Sequence, residues 1–224
     1  MKIIFILVEP AVPENVGAAA RAIKTMGFCE LWLVNPCDYL SGPAKWLAHA
    51  SNDILENAVV FKSLSQALND VGFSIATSAK KRHVKADYCA LNNLPGIIRK
   101  KGNTVPTVAI VFGREESGLT NSEIALCDIV STVPMKNPYP SLNLAQSVML
   151  YSYTLSGNIN STSEEKTDNN KESYKVLRSK TERALTKLGF KPGSNIYNRF
   201  IERLAVLSEG DIHLAHSICN KILG

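Results

Sequence analysis

The chain has 224 residues, 45% of them hydrophobic and 20% charged, enough for one buried core and a small appendage. No apolar run reaches the roughly 18 residues that a membrane span needs, so no membrane-spanning helix is expected. The formal charge of +5 favours an acidic partner only weakly. The 5 cysteines are an odd number with no Cys-x-x-Cys pair, the usage of free thiols in a reducing, cytoplasmic setting rather than of disulfides or zinc.

In chain order, "IIFILV" (3–8) reads as a first buried strand. It soon meets Glu9, Pro10 and Pro13 with no small-residue cleavage site, so a strand is expected and not a signal peptide. A helix over 13–26 follows, with Pro13 in its first turn, Glu14 at the positive end of the dipole and Gly27 as stop. Further strands are predicted at 31–35, 58–61, 73–77, 107–112 and 129–134, with helices at 44–56, 63–70, 90–101, 120–127 and 141–156. Short apolar strands alternating with helices predict an α/β fold whose parallel sheet is covered on both faces. Leu144, Val148, Tyr151 and Leu155 mark the apolar face of the helix over 141–156.

The segment 156–173 is nearly devoid of apolar residues and reads as solvated chain. Helical patterns alone come after it, at 172–189, 194–207 and 210–223. The organisation expected is an α/β domain over 1–156, a flexible linker over 157–171 and a helical RNA-binding or accessory domain over 172–224. In the first of these helices Lys175, Arg178, Lys180, Arg183 and Lys187 form a basic edge, read as free for phosphates or as an ordinary solvated face.

Three stretches have chemical potential. Gly17 to Ala20 make a turn almost without side chains, between Asn15 and Arg21, which suits either helix packing or close approach of a ligand. "FGREESGLT" (112–120) leaves the end of a strand through two glycines, where open α/β sheets bind ligands. "NPYPSLNLAQSV" (137–148) holds Ser141 and Asn143 at a proline-flanked helix entrance. The basic run at 80–85 follows another strand end and could collect phosphates or simply be a solvated loop. Neither glycine pattern is a Walker loop or G-x-G-x-x-G, and no metal site is expected.

In this order, "NVGAAAR" (15–21), "VFGREESGLT" (111–120), and "VPM" (133–135) with "YPSLNLAQSV" (139–148) resemble the three signature motifs of the SpoU (TrmH) branch of the SPOUT RNA 2′-O-ribose methyltransferases. The likeness runs nearly full length and is greatest to the TrmJ and LasT groups, through "AIKTMGF", "SNDI", "ATSAKKR" and the linked helical region. The resemblance implies a sheet whose C-terminal part forms a deep trefoil knot, although pattern alone would give an unknotted, doubly wound sheet. It implies an obligate homodimer that binds S-adenosyl-L-methionine through Thr77, Ser78, Ala79, Gly113, Val133, Met135, Pro140, Ser141 and Leu142. Pro140 stands where the TrmJ group usually has serine. Asn15, Arg21, Glu115, Ser141 and Asn143 match the family's catalytic set, while Lys80, Lys81 and Arg82 are the expected RNA contacts. The implied activity is methyl transfer to a ribose 2′-hydroxyl of tRNA, anticodon-loop position 32 being favoured, or of rRNA. The rival is a non-catalytic RNA-binding protein of the same fold.

Overall fold

The computed structural model describes residues 1–80, 88–137, 141–157 and 173–224. Its strands are β1 (Lys2–Val8), β2 (Glu30–Val34), β3 (Val59–Phe61), β4 (Phe73–Thr77), β5 (Tyr88–Ala90), β6 (Thr107–Phe112) and β7 (Ile129–Thr132). They form one sheet in the order β3-β2-β1-β6-β4-β7-β5, and every pairing is parallel. The predicted α/β class and parallel sheet are therefore what the chain forms. Tyr88–Ala90 forms a three-residue edge strand that no pattern predicts, too short to leave a periodic signal, and the helix expected over 90–101 runs over Leu94–Arg99.

The helices are α1 (Pro13–Thr25), α2 (Gly42–Ala48), α3 (Asn52–Glu56), α4 (Leu64–Leu68), α5 (Leu94–Arg99), α6 (Asn121–Leu126), α7 (Leu144–Ser156), α8 (Tyr174–Lys187), α9 (Asn195–Leu204) and α10 (Glu209–Leu223). Alternation along β1 sorts them into two layers. Ile3, Phe5 and Leu7 face a core shared with α1, α2, α3, α5 and α7. Ile4, Ile6 and Val8 face the other side, against α4 and α6. The single helix expected over 44–56 is broken at His49, whose φ of 48° lies in the left-handed region. All four residues of the predicted α7 stripe are buried. The bare turn of α1 is accounted for by packing: a Cβ on Gly17 would lie 2.0 Å from the Ala44 carbonyl oxygen of α2.

The C-terminal helices extend the first of these cores through Tyr174, Leu177, Ala184, Leu204 and Ile212. Their attachment is at the amino ends of the strands. Tyr174 packs edge-on to Phe73 at 5.3 Å and donates its hydroxyl hydrogen to Asp128 at 3.2 Å. Asp128 also accepts from the Ser74 backbone N–H and hydroxyl, at 2.8 and 2.9 Å, and pairs with Arg178 at 2.5 Å. Lys101, wholly buried, sits 4.9 Å from the Phe73 ring centre and 4.7 Å from that of Tyr174, and donates to the Leu207 carbonyl. The basic edge of α8 is largely engaged within the chain. Lys175 donates to the Asn69 carbonyl, Lys180 to Asn220, Lys187 to the Ile222 carbonyl, and Arg178 to Asp128. The picture of a basic edge free for phosphates gives way to one of cations that fasten helices.

Candidate active site

Because all strands run the same way, the segments that follow β1, β6, β4 and β7 emerge along one edge of the sheet, and these four strands are consecutive neighbours. The loop after β6 is the most tightly built. A Cβ on Gly113 would lie 2.1 Å from the Gly118 carbonyl carbon and 2.2 Å from the Leu119 nitrogen. The glycine is thus required by the loop's own return path. Arg114 holds that path with hydrogen bonds to Glu9 at 2.8 Å, to both oxygens of Glu123 at 3.0 and 3.1 Å, and to the Gly118 carbonyl at 3.3 Å. Glu123 in turn completes a capping box with Thr120 at the start of α6. Burial opposes ionisation of Glu123, but its hydrogen bonds from Arg114 and Thr120 outweigh burial and hold the carboxyl below its usual range.

Locked in this way, the loop carries Glu115 to the entrance of α1. The N-cap residue Val12 has no side-chain acceptor of its own. Glu115 supplies one from afar, accepting from the Ala11 and Val12 backbone N–H groups at 3.1 and 3.2 Å, where the helix dipole favours negative charge. Its Oε1 also accepts from Asn15 Nδ2 at 3.0 Å. Burial raises the Glu115 pKa, yet these hydrogen bonds prevail and the carboxyl titrates below its ordinary value. A carboxylate so satisfied is a weak base, so Glu115 positions other groups.

What it positions is a directional chain. An ionised carboxylate only accepts, so Asn15 must turn its amide nitrogen to Glu115 and its oxygen away. That oxygen accepts from Asn143 Nδ2 at 2.9 Å. Asn143 Oδ1 then accepts from the Ala145 N–H at 2.8 Å, while Gln146 accepts from the Asn143 backbone at 3.0 Å, a capping box that starts α7. Both asparagine orientations follow from one carboxylate. Each Nδ2 keeps a second hydrogen for a substrate oxygen.

The remaining expected residues are placed less closely. Ser141 is exposed three residues before the start of α7. Arg21 is exposed on α1, unpaired among the described residues, and stands six residues beyond Asn15, about 9 Å along the axis and on another face. It does not join the asparagine–glutamate chain within this subunit. Thr77 donates its hydroxyl hydrogen to the Val111 carbonyl at 3.0 Å, and the Ser78 N–H donates to the Ser131 carbonyl at 3.0 Å, tying the end of β4 to its two neighbours. Ala79 and Lys80 are exposed; Gly113, Val133, Met135 and Leu142 are half-buried. Lys81, Arg82 and Pro140 lie outside the described residues, as does the linker from 158 to 172. Ala79, Gly113, Val133 and Met135 lie on the segments that leave β4, β6 and β7, side by side along the carboxyl edge. Among the described residues no three potential ligands converge on a metal position.

Sequence reasoning missed Arg114, Glu9 and Glu123. Thr120-x-x-Glu123 is a capping-box spelling that would have marked Glu123 as structural. Nothing local marks Arg114, whose partner Glu9 is 105 residues away.

A parallel α/β sheet whose carboxyl edge carries this polar chain is the architecture of a known group of enzymes, and residues 2–153 match the SpoU rRNA Methylase family. The chain belongs to that family. Residues 171–224 match a second model, the C-terminal domain of tRNA/rRNA methyltransferase LasT. The chain is 39% identical over 222 residues to an uncharacterised tRNA/rRNA methyltransferase, LasT, of Escherichia coli, covering 99% of this chain and 97% of that one. It is 37% identical over 148 residues to the tRNA (cytidine/uridine-2′-O-)-methyltransferase TrmJ of Pectobacterium atrosepticum, covering 66% of this chain and 61% of TrmJ. The crystal structure of TrmJ from Z. mobilis ZM4 superimposes with a TM-score of 0.68 at 27% identity, with full coverage of both chains.

Proposed function

We propose that the protein is a 2′-O-ribose methyltransferase of RNA, acting on tRNA or rRNA, with S-adenosyl-L-methionine as methyl donor. The observation that carries this reading is the Glu115–Asn15–Asn143 chain, held at the carboxyl edge beside the segments that leave β4, β6 and β7. Thr77, Ser78, Ala79, Gly113, Val133, Met135, Pro140, Ser141 and Leu142 would hold the cofactor. Bound there, it supplies a methyl group made electrophilic by a sulfonium. The ribose hydroxyl must give up its proton as its oxygen attacks, and placing it correctly removes much of the barrier. Asn15 and Asn143 offer N–H groups to the ribose, and Glu115 fixes their orientation. Ser141 faces the same approach from the entrance of α7. Arg21 stays charged, which suits orientation of an RNA phosphate and stabilisation of developing charge better than proton abstraction.

Arg21 standing apart in one subunit supports a homodimer in which it serves the neighbouring subunit's site. The exposed Trp46 and Leu47 of α2, with Met149 and Leu150 of α7, leave apolar surface for such a contact. The reading includes the knotted threading implied by the motifs, supported by β7 sitting between the earlier strands β4 and β5. It also assigns Lys80, Lys81 and Arg82 to RNA, a cytoplasmic setting, and tRNA before rRNA, anticodon-loop position 32 first. The test is nucleoside mass spectrometry of tRNA and rRNA from a deletion strain, with restoration by the purified protein and cofactor. One missing and restored 2′-O-methylnucleoside is expected. Complete retention of every 2′-O-methyl group, with no transfer in vitro, would leave a non-catalytic RNA-binding protein as the better account.

A further inference from the structure

Tyr151 and Tyr174 are the largest wholly buried side chains of the described residues, and their hydroxyls have different surroundings. Tyr174 donates to Asp128. The Tyr151 hydroxyl completes no hydrogen bond among the described residues, and neither does the hydroxyl of Ser131, itself wholly buried. The next hydroxyl of α7, that of Ser152, is satisfied within the helix by the Val148 and Met149 carbonyls. Buried hydroxyls are nearly always paired, so two orphans on neighbouring elements call for a reason. The two face each other. Ile129 of β7 belongs to the core shared with α7 and Val130 to the opposite one, so alternation turns Ser131 towards α7. From α7, Tyr151 sets its ring edge-on to Phe112, the last residue of β6, at 5.4 Å. Burial pushes the Tyr151 pKa up, and the Ser131 hydroxyl works against burial, as only a close neighbour can. The pair is adjacent but not closed into a hydrogen bond.

Their place in the sheet supplies that reason. Ser131 lies two residues before Val133, and its carbonyl accepts from the Ser78 N–H at 3.0 Å. It stands in register between Thr77 of β4 and Cys89 of β5. Phe112 directly precedes Gly113. Tyr151 is therefore tied, through Ser131 and Phe112, to the roots of the three segments that leave β4, β6 and β7. It also stands on α7 eight residues after Asn143, about 12 Å along the helix. We propose that Tyr151 is a positioning residue for methyl transfer: its hydroxyl donates to Ser131 Oγ when the cofactor draws the ends of β4 and β7 together, which couples an occupied cofactor site to the helix that begins at Asn143. The inference rests on the reading of this edge as a methyltransferase site and adds the link between its two halves. A ligand shifts an equilibrium only by what it gains in one state over the other. The gain here is one hydrogen bond that satisfies two desolvated hydroxyls at once. Removing either oxygen therefore takes nothing from the protein alone and takes that bond from its complex.

The experiment uses the full chain with Tyr151→Phe, Ser131→Ala and the double variant, each of which removes only hydroxyl oxygens. Melting of the protein alone should give each variant a Tm at or above that of the wild type, because an unpartnered buried hydroxyl is what has gone. Isothermal titration with S-adenosylhomocysteine should show affinity lowered roughly 2- to 13-fold, the worth of one neutral hydrogen bond. Both substitutions remove the same bond, so the double variant should bind no more weakly than the single ones. Methyl transfer to total tRNA and rRNA at saturating cofactor should show a lowered kcat with the KM for RNA unchanged. A Tm that falls in step with affinity overturns the inference, because the pair is then ordinary core structure. Additive losses in the double variant, or a wild-type kcat in the single ones, overturn it as well. A wild type that methylates RNA while both single variants bind S-adenosylhomocysteine as tightly as it does sinks the pair alone. A wild type that binds no S-adenosylhomocysteine sinks the cofactor reading together with the inference. One that binds it with the expected variant pattern but methylates no RNA sinks the enzymatic reading and leaves the coupling of Tyr151 to the cofactor.

Discussion

Replacing Asp128 with alanine tests how the C-terminal helices are fastened to the sheet. Its carboxylate is nearly buried and receives the Ser74 N–H and hydroxyl, the Tyr174 hydroxyl and the Arg178 guanidinium. The substitution leaves a backbone N–H, two hydroxyls and a cation without their acceptor. Breaking one side of a fully buried pair costs about 3–5 kcal/mol. The Arg178 side chain is 29% exposed, so water recovers part of its solvation and about 2–4 kcal/mol is the better figure. For a chain of this size that lowers Tm by roughly 5–15 °C. Calorimetry or circular dichroism should show the shift. Adding Arg178→Met to Asp128→Ala should recover part of it, because the unpaired cation is then gone. Titration with S-adenosylhomocysteine should be unchanged, since the proposed cofactor segments lie at the opposite edge of the sheet. A Tm loss below about 2 °C, or strict additivity of the two substitutions in a double-mutant cycle, would refute this account of the attachment.

Three other outcomes follow from the geometry. Glu115→Gln places an amide among three N–H donors, so methyl transfer should fall by about 10²-fold or more while S-adenosylhomocysteine affinity stays within a few-fold of wild type. Wild-type Glu115 has a depressed pKa, so its stabilisation is complete above the unfolded carboxyl value of 4.5 and disappears as pH falls through the folded value; acid titration of Glu115→Gln should lack that component. Lys101 behaves in the opposite sense: burial lowers its pKa from 10.5 to about 8, partly countered by Asp128, so the unfolded chain holds the extra proton between these values. Stability should therefore rise with pH across that window by at most ~1.4 kcal/mol per unit, and urea titrations of Lys101→Met should lose the rise. Arg21→Ala should reduce turnover by roughly 10²-fold with little change in cofactor affinity, and Arg21→Lys should not restore it, since an ammonium lacks the planar fork; single-turnover rates would decide.

Much of this molecule was legible because its signals are local. The apolar runs that became β1, β2, β4 and β6 and the stripe Leu144, Val148, Tyr151 and Leu155 each encode their element within a few residues. Pro13 and Asn143 likewise mark where α1 and α7 begin. The short β5 has no periodicity to read, and the break at His49 depends on α2 packing against Gly17. Distant partners were not legible. The motif gave Glu115 a place in the catalytic set but no partner; its partners appear only when β1 and β6 become neighbours and set it against backbone N–H groups some 100 residues earlier. Gly113 looked like a point of close ligand approach, but its missing side chain makes room for residues 118–119.

The same distinction explains why the positive charge of α8 was misleading. Helical spacing shows which cations share a face, but only tertiary structure shows which oxygens reach them. Lys180 and Lys187 meet α10, Lys175 meets the turn before β4, and Arg178 meets Asp128. Arg183, exposed and unpaired among the described residues, is the cation of that edge left for an outside partner. The run Arg99, Lys100 and Lys101 at the end of α5 drew no notice in the sequence, because nothing local separates its buried member from its exposed ones. Arg99 and Lys100 are exposed, and Lys101, the last of the three, anchors the C-terminal helices through the Leu207 carbonyl. One run, "RKK", thus has two environments: its last residue is drawn inward by two aromatic rings, and its first two are left outward.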